Sequence, residues 1–137
     1  MATVSITATN VIATPGRIAG AKVAAVAITA GQVLYQLANT TVGLADANGA
    51  SPANSVIGIA VNGGGAGQSI QYVATDDSFT FGGTSTAGKT FWLGSTAGSI
   101  VDDIADLTSG CKVISLGNTL TTTTMRLAPV VGADIPA

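Results

Sequence analysis

The chain has 137 residues, 47% hydrophobic and 9% charged, with five basic and seven acidic side chains and a formal charge of −2. It contains neither His nor Glu, which excludes imidazole bases, Ser-His and Cys-His nucleophile pairs and the common zinc sites. So few cations leave no basic patch for a phosphate backbone, so nucleic acid is not an expected partner.

This length fits one domain. An ordinary soluble domain is roughly one-quarter charged, so a chain this neutral is expected to cover much of its surface against other molecules. A monomer hydrated through Thr, Ser and Gly is the alternative. The apolar content is mostly Ala and Val, with one Trp, two Tyr and three Phe. Small side chains bury little area each, and oligomerisation is one way to supply the missing stability. Cys111 is the single cysteine, which excludes an intrachain disulfide framework.

Residues 1–15 are uncharged and β-prone through Val4, Ile6, Thr7, Val11 and Ile12, and join the rest at Pro15-Gly16. They read as a first core strand, or as an arm that adds to a neighbouring sheet edge. As an arm, residues 1–14 would be removable with the body still folded. The stretch Ile18 to Ala30 is Ala-rich, but Val23, Val26, Ile28 and Thr29 favour strand. It carries Lys22, lacks a basic leader before it, and is too short to span a bilayer. No membrane association is expected, and synthesis in the cytoplasm is.

Further along, Gly31 to Leu37 alternates Val33, Tyr35 and Leu37 against Gln32, Leu34 and Gln36. Asp46-Ala47-Asn48-Gly49 begins like a calcium loop, but no Glu exists to close it, so it reads as an Asn-Gly turn. Val56 to Val61 is a continuous apolar run stopped by Asn62-Gly63-Gly64-Gly65, as expected of a strand buried on both faces. Ser69 to Val73 and Ser78 to Phe81 alternate with a period of two. Thr121 to Thr124 leads into Met125-Arg126-Leu127, the expected last strand.

Three stretches resemble chemical motifs. Gly83-Thr84-Ser85-Thr86-Ala87-Gly88-Lys89-Thr90 satisfies the phosphate-loop pattern, which needs a helix directly after it. Thr90-Phe91-Trp92-Leu93 runs instead into Gly94-Ser95-Thr96-Ala97-Gly98, which cannot sustain a helix. Asp102-Asp103-Ile104-Ala105-Asp106 has a spacing that binds divalent metal only on a helix with further carboxylates nearby. It reads as a solvated acidic turn. Asp76 and Asp77 are adjacent on an expected strand and so point to opposite faces, unable to serve one acid/base site. Cys111, beside Lys112, reads as a buried structural thiol. No catalytic residue, metal site or cofactor is assigned, and no enzyme activity is expected.

An internal repeat organises the rest. Thr29-Ala30-Gly31-Gln32-Val33-Leu34-Tyr35 matches Thr86-Ala87-Gly88-Lys89-Thr90-Phe91-Trp92, an offset of 57. The same offset places Val56-Ile57-Gly58-Ile59 on Val113-Ile114-Ser115-Leu116, Ile70 on Leu127 and Val73 on Val130. The expected fold is all-β: a small barrel or sandwich of two similar halves over residues 16–137, with at most one short helix near Val101 to Thr108.

The succession of Met1-Ala2-Thr3-Val4-Ser5-Ile6-Thr7, Ile28 to Tyr35, Val56 to Ala60, Gly65 to Ile70, Thr86 to Trp92, Gly98-Ser99-Ile100, Ala105-Asp106-Leu107 and Val113 to Gly117 resembles the small head-decoration, or cement, proteins of tailed bacteriophages. The resemblance covers most of the chain, through motifs that recur in many β proteins. It implies a β-rich module on the outside of a phage head, often a trimer, that reinforces the shell. Its partners would be the major capsid protein and sister subunits. On that reading Val4, Ile6, Val11 and Ile12 dock on the capsid protein or a neighbour's sheet, and Arg17 and Lys22 meet acidic groups or remain solvated charges. The rival readings are a tail, fibre or head-spike module, a carbohydrate-binding β module centred on Trp92 or Tyr35, and a nucleotide hydrolase using Lys89.

Overall fold

β-branched residues punctuated by glycine turns produce eleven strands and two single 3₁₀ turns among the described residues, 3–49, 55–107 and 110–134, of a computed structural model. The all-β expectation holds. In the first half, β2 (Ile18–Ala24), β3 (Val33–Ala38), β4 (Thr41–Leu44), β5 (Gly58–Ala60) and β6 (Ser69–Val73) close a five-stranded barrel in the order β2-β4-β3-β5-β6. In the second, β7 (Asp76–Phe81), β8 (Thr90–Leu93), β9 (Ile100–Val101), β10 (Lys112–Thr119) and β11 (Thr124–Asp134) form a sheet in the order β7-β11-β10-β8-β9. To its β7 edge β1 (Val11–Ile12) is added.

The repeat is visible in these pairings. Under the offset of 57, β2 to β6 fall on β7 to β11. The contacts β2·β6, β5·β6, β3·β5 and β3·β4 recur as β7·β11, β10·β11, β8·β10 and β8·β9. Registers differ by a few residues, with irregularities such as the one between Ser115 and Gly117. The turns agree as well: Gly31 and Gly88, third in Thr-Ala-Gly-x, have φ of 93° and 83°, the left-handed region that glycine enters without strain.

Side-chain size follows from the two architectures. A five-stranded barrel has a narrow interior, and the first one holds Ala24, Ile28, Leu34, Val42, Ala60 and Ile70. The outward residues Val33, Ile59 and Val73 join a larger core with the second half, where Phe79, Phe81, Phe91, Leu116 and Met125 are fully buried. Phe81 and Phe91 meet edge to face at 5.0 Å. Strand β5 is buried on both faces, as its unbroken apolar run requires. The face alternation expected in β3 forms, with Val33 and Tyr35 toward the larger core and Leu34 inside the barrel, but both faces are covered at its start. Val33 and Leu34 are both buried, one in each core, and exposure begins at Gln36.

The halves differ in closure. β2 pairs with β4 in the first, whereas β7 and β9 are the unjoined equivalents in the second. Residues 3–12 span that opening. Thr3 bridges Val101 of β9 and the Val4 amide donates to the Ile100 carbonyl at 2.7 Å. The Thr7 amide donates to the Gly82 carbonyl at 2.8 Å, and Val11 and Ile12 pair with Phe81 and Thr80 of β7. Val4 and Val11 lie in the large core and Ile6 packs on it. A β-carbon on Gly31 would stand 2.5 Å from the Ile6 side chain, and one on Gly83 would overlap the Ser5 carbonyl oxygen. A removable arm is therefore not what this segment forms within the subunit: its loss would open the second half and expose the core under Val4 and Val11.

A polar clasp ends the segment. The Thr14 hydroxyl and amide donate to the two carboxylate oxygens of buried Asp76, at 2.6 and 2.8 Å, and the Ser78 amide adds a bond at 3.0 Å. Burial pushes the Asp76 carboxyl upward. The bonds from Thr14 and Ser78, with the Arg17 charge nearby, outweigh it and hold the group below its usual range.

Two tests follow from the closure. Gly83→Ala should cost about 1–3 kcal/mol in urea unfolding, by overpacking against Ser5. Gly65→Ala, whose added carbon meets nothing closer than 3.9 Å, should stay within about 0.5 kcal/mol. Equal effects would contradict the close approach. Asp76→Asn should lose about 1.5–3 kcal/mol at neutral pH. Because the folded-state pKa of Asp76 is depressed, its contribution is complete above the unfolded carboxyl value of about 3.9 and is lost as pH falls through the folded one. The gap between wild type and variant should narrow below about pH 4; a pH-independent gap would contradict the clasp.

Candidate interaction surface

The phosphate-loop match is a turn entering β8. Lys89 is exposed, and its amide donates to the Thr119 hydroxyl at 2.9 Å, which in turn donates to the Thr86 carbonyl at 2.6 Å. Buried Thr119 thus threads the turn, supplying a bond that the matching turn makes directly, from the Gln32 amide to the Thr29 carbonyl. The strand Thr90–Leu93 occupies the place where a phosphate loop needs a helix. Nothing in the sequence near Lys89 pointed to Thr119, thirty residues away.

The acidic run forms one 3₁₀ turn, Ile104–Asp106, capped by the Asp103 carboxylate accepting from the Ala105 amide at 2.9 Å. The Asp46 carboxylate accepts from the Asn48 amide at 2.9 Å, closing a local turn. Asp76 is buried and Asp77 exposed, on opposite faces of β7. Among the described residues no group of three or more His, Cys, Asp or Glu stands together. Cys111 is fully buried in the large core. Trp92 is half-buried and packs against that core. The described residues include no helix long and apolar enough to cross a membrane.

The residues expected to make contacts separate sharply. Val4 and Val11 face the chain's own core and Ile6 is half-buried against it, so none presents a free apolar face. Their inward position is the physical correction to reading the whole segment as a docking strip. Ile12, next along β1, is 61% exposed. Arg17 pairs with Asp77 at 3.1 Å on the surface, and the Lys22 ammonium donates to the Asn39 carbonyl at 2.8 Å. Both cations already have partners within the subunit.

Other aliphatic side chains form the outward apolar surface. On β11, Val130 and Val131 are 61% and 62% exposed and point to opposite sides of the strand. Ladder pairing to β7 ends at Leu127, whereas pairing to β10 continues to Asp134. The β7 side of residues 128–134 therefore carries no ladder partner among the described residues. Pro129 removes one donor from this stretch, a common way of blunting a sheet edge. A second patch borders an open cleft of about 570 Å³ between the barrel and the following loop. Val26 and half-exposed Leu37 flank it, Leu44 and Tyr35 line it, and Asp46 is its single carboxylate. The exposure of Val130, Val131 and Leu37 was not readable from the sequence, because strand alternation marks faces but not which strands overhang their neighbours.

No protein-family model matches this sequence, and comparison with curated proteins gives no significant match.

Proposed function

We propose that this chain is a structural virion protein that binds the outside of a phage capsid and stabilises the shell. The observation that supports it best is the surface itself: exposed aliphatic side chains at Val130, Val131, Leu37, Val26 and Ile12 on a chain that is only 9% charged. Isolated exposed aliphatics are ordinary, but paired ones beside an unpaired ladder edge and around a cleft favour contact with other proteins. The small, repeated β body and the sequence resemblance to decoration proteins point the same way. Stabilisation on this reading comes from many modest contacts multiplied by valency across the shell. The partners are the major capsid protein and sister subunits, with a trimer as the expected unit.

The test is co-sedimentation of the purified chain with undecorated heads of the encoding phage. The wild type should bind in a saturable way and raise the heads' resistance to heat or chelator. Val130→Lys with Val131→Lys should weaken binding at least tenfold and leave the thermal midpoint of the free protein within a few degrees. Wild-type protein that stays in the supernatant at every concentration would overturn the proposal.

A further inference from the structure

The sequence has two Asn-Gly pairs, Asn48-Gly49 and Asn62-Gly63, and the fold leaves them in opposite situations. Chemically they start alike. Glycine lacks a β-carbon and has wide backbone freedom, so its nitrogen is the one best able to reach the side-chain carbon of a preceding Asn. What separates the two pairs is how each Asn side chain is held.

Asn62 is clamped at both ends of its side-chain amide. Its Oδ1 accepts from the Gln71 amide at 2.7 Å, and its Nδ2 donates to the Ser69 carbonyl at 3.2 Å. Both partners belong to β6, which is paired on one side with β2 and on the other with β5. Cγ of Asn62 therefore cannot turn toward Gly63 without breaking bonds to the barrel. Asn48 is exposed, and its side-chain amide has no hydrogen-bond partner among the described residues. Its base is fixed, because the Ala47 amide donates to the Gly94 carbonyl and the Ala47 carbonyl accepts from the Lys112 amide. The tip is held only locally. The Asn48 amide donates to the Asp46 carboxylate at 2.9 Å, and the Gly49 amide to the Asp46 carbonyl at 3.0 Å. Exposed turn bonds of this kind open without disturbing the rest of a fold, and opening the second one frees the Gly49 nitrogen.

We propose that Asn48 is a site of spontaneous deamidation in the folded protein, and that the β6 clamp protects Asn62 from it. The Gly49 nitrogen gives up its proton to solvent and attacks Cγ of Asn48. A C–N bond closes a succinimide ring, the bond from Cγ to the side-chain nitrogen breaks, and ammonia leaves. Water then adds to either ring carbonyl and opens the imide, leaving aspartate or isoaspartate. Either product puts a new carboxylate between Asp46 and Gly49, both of which line the apolar cleft with Tyr35, Leu37 and Leu44. Isoaspartate also lengthens the backbone inside the turn and so removes the geometry of its Asp46 bonds. The inference concerns the chain's own chemistry and does not depend on what the protein binds.

The test incubates the full chain, folded, at mildly alkaline pH beside a sample in concentrated urea, and follows both asparagines by peptide mass mapping. In the folded chain Asn48 should convert at least roughly tenfold faster than Asn62, and urea should bring the two rates within a few fold of each other. Enzymatic methylation of isoaspartate gives a second reading. Asn48→Gln, whose longer side chain closes the imide poorly, should remove most of that label from the folded sample. Equal rates at the two positions in the folded chain, conversion of Asn48 only in urea, or a label undiminished in Asn48→Gln overturns the proposal. Heads play no part in the measurement, so its failure leaves the capsid reading to its own test.

Discussion

Closure of the second half by the amino-terminal segment is the constraint on which the rest of the structure depends. A sheet with two open edges leaves backbone donors and acceptors unpaired and exposes the apolar layer beneath. The first half solves this internally, by pairing β2 with both β4 and β6. The second cannot, because β9 is only two residues long and makes no ladder to β7. Residues 3–12 supply the missing pairing, and Val4, Ile6 and Val11 cover the core that contains all three phenylalanines. Gly31 and Gly83 set how closely the segment approaches, and the Asp76 clasp sets where it stops.

The same constraint explains an unusual composition. A five-stranded barrel has a narrow interior, filled here by Ala24, Ile28, Leu34, Val42, Ala60 and Ile70, whereas the three phenylalanines lie in the core of the second half. Charged groups are few, and several polar side chains have structural work at the seams. Asp76 anchors the closing segment, Thr119 completes the turn at Lys89, and Arg17 and Lys22 are held within the subunit. What remains outward is apolar or uncharged to an unusual degree, and contact with other proteins is the use of such a surface that we propose.

Much of this architecture was legible in the residues. The Thr-Ala-Gly turns at Gly31 and Gly88, the alternating runs at Ser69 to Val73 and Ser78 to Phe81, and the offset of 57 all correspond to observed elements. They are legible because turn chemistry and strand period are local properties. The closing role of residues 3–12 was not, since it depends on which edge of a distant strand lacks a partner. The roles of Thr14 and Thr119 were hidden for the same reason: each bridges groups thirty or more residues away. The burial of Val4 and Val11 in the chain's own core was not legible either, because a β-prone apolar segment looks the same in sequence whether it covers its own core or another protein.

Hydrogen exchange at single amides tests the closure most directly. The Val4 and Thr7 amides, bonded to Ile100 and Gly82, should exchange as slowly as those in the β10–β11 ladder and lose protection together with it when denaturant is added. Exchange of those two amides within seconds, while the β10–β11 ladder remains protected, would show that the second half stands without its closing segment and would contradict the account.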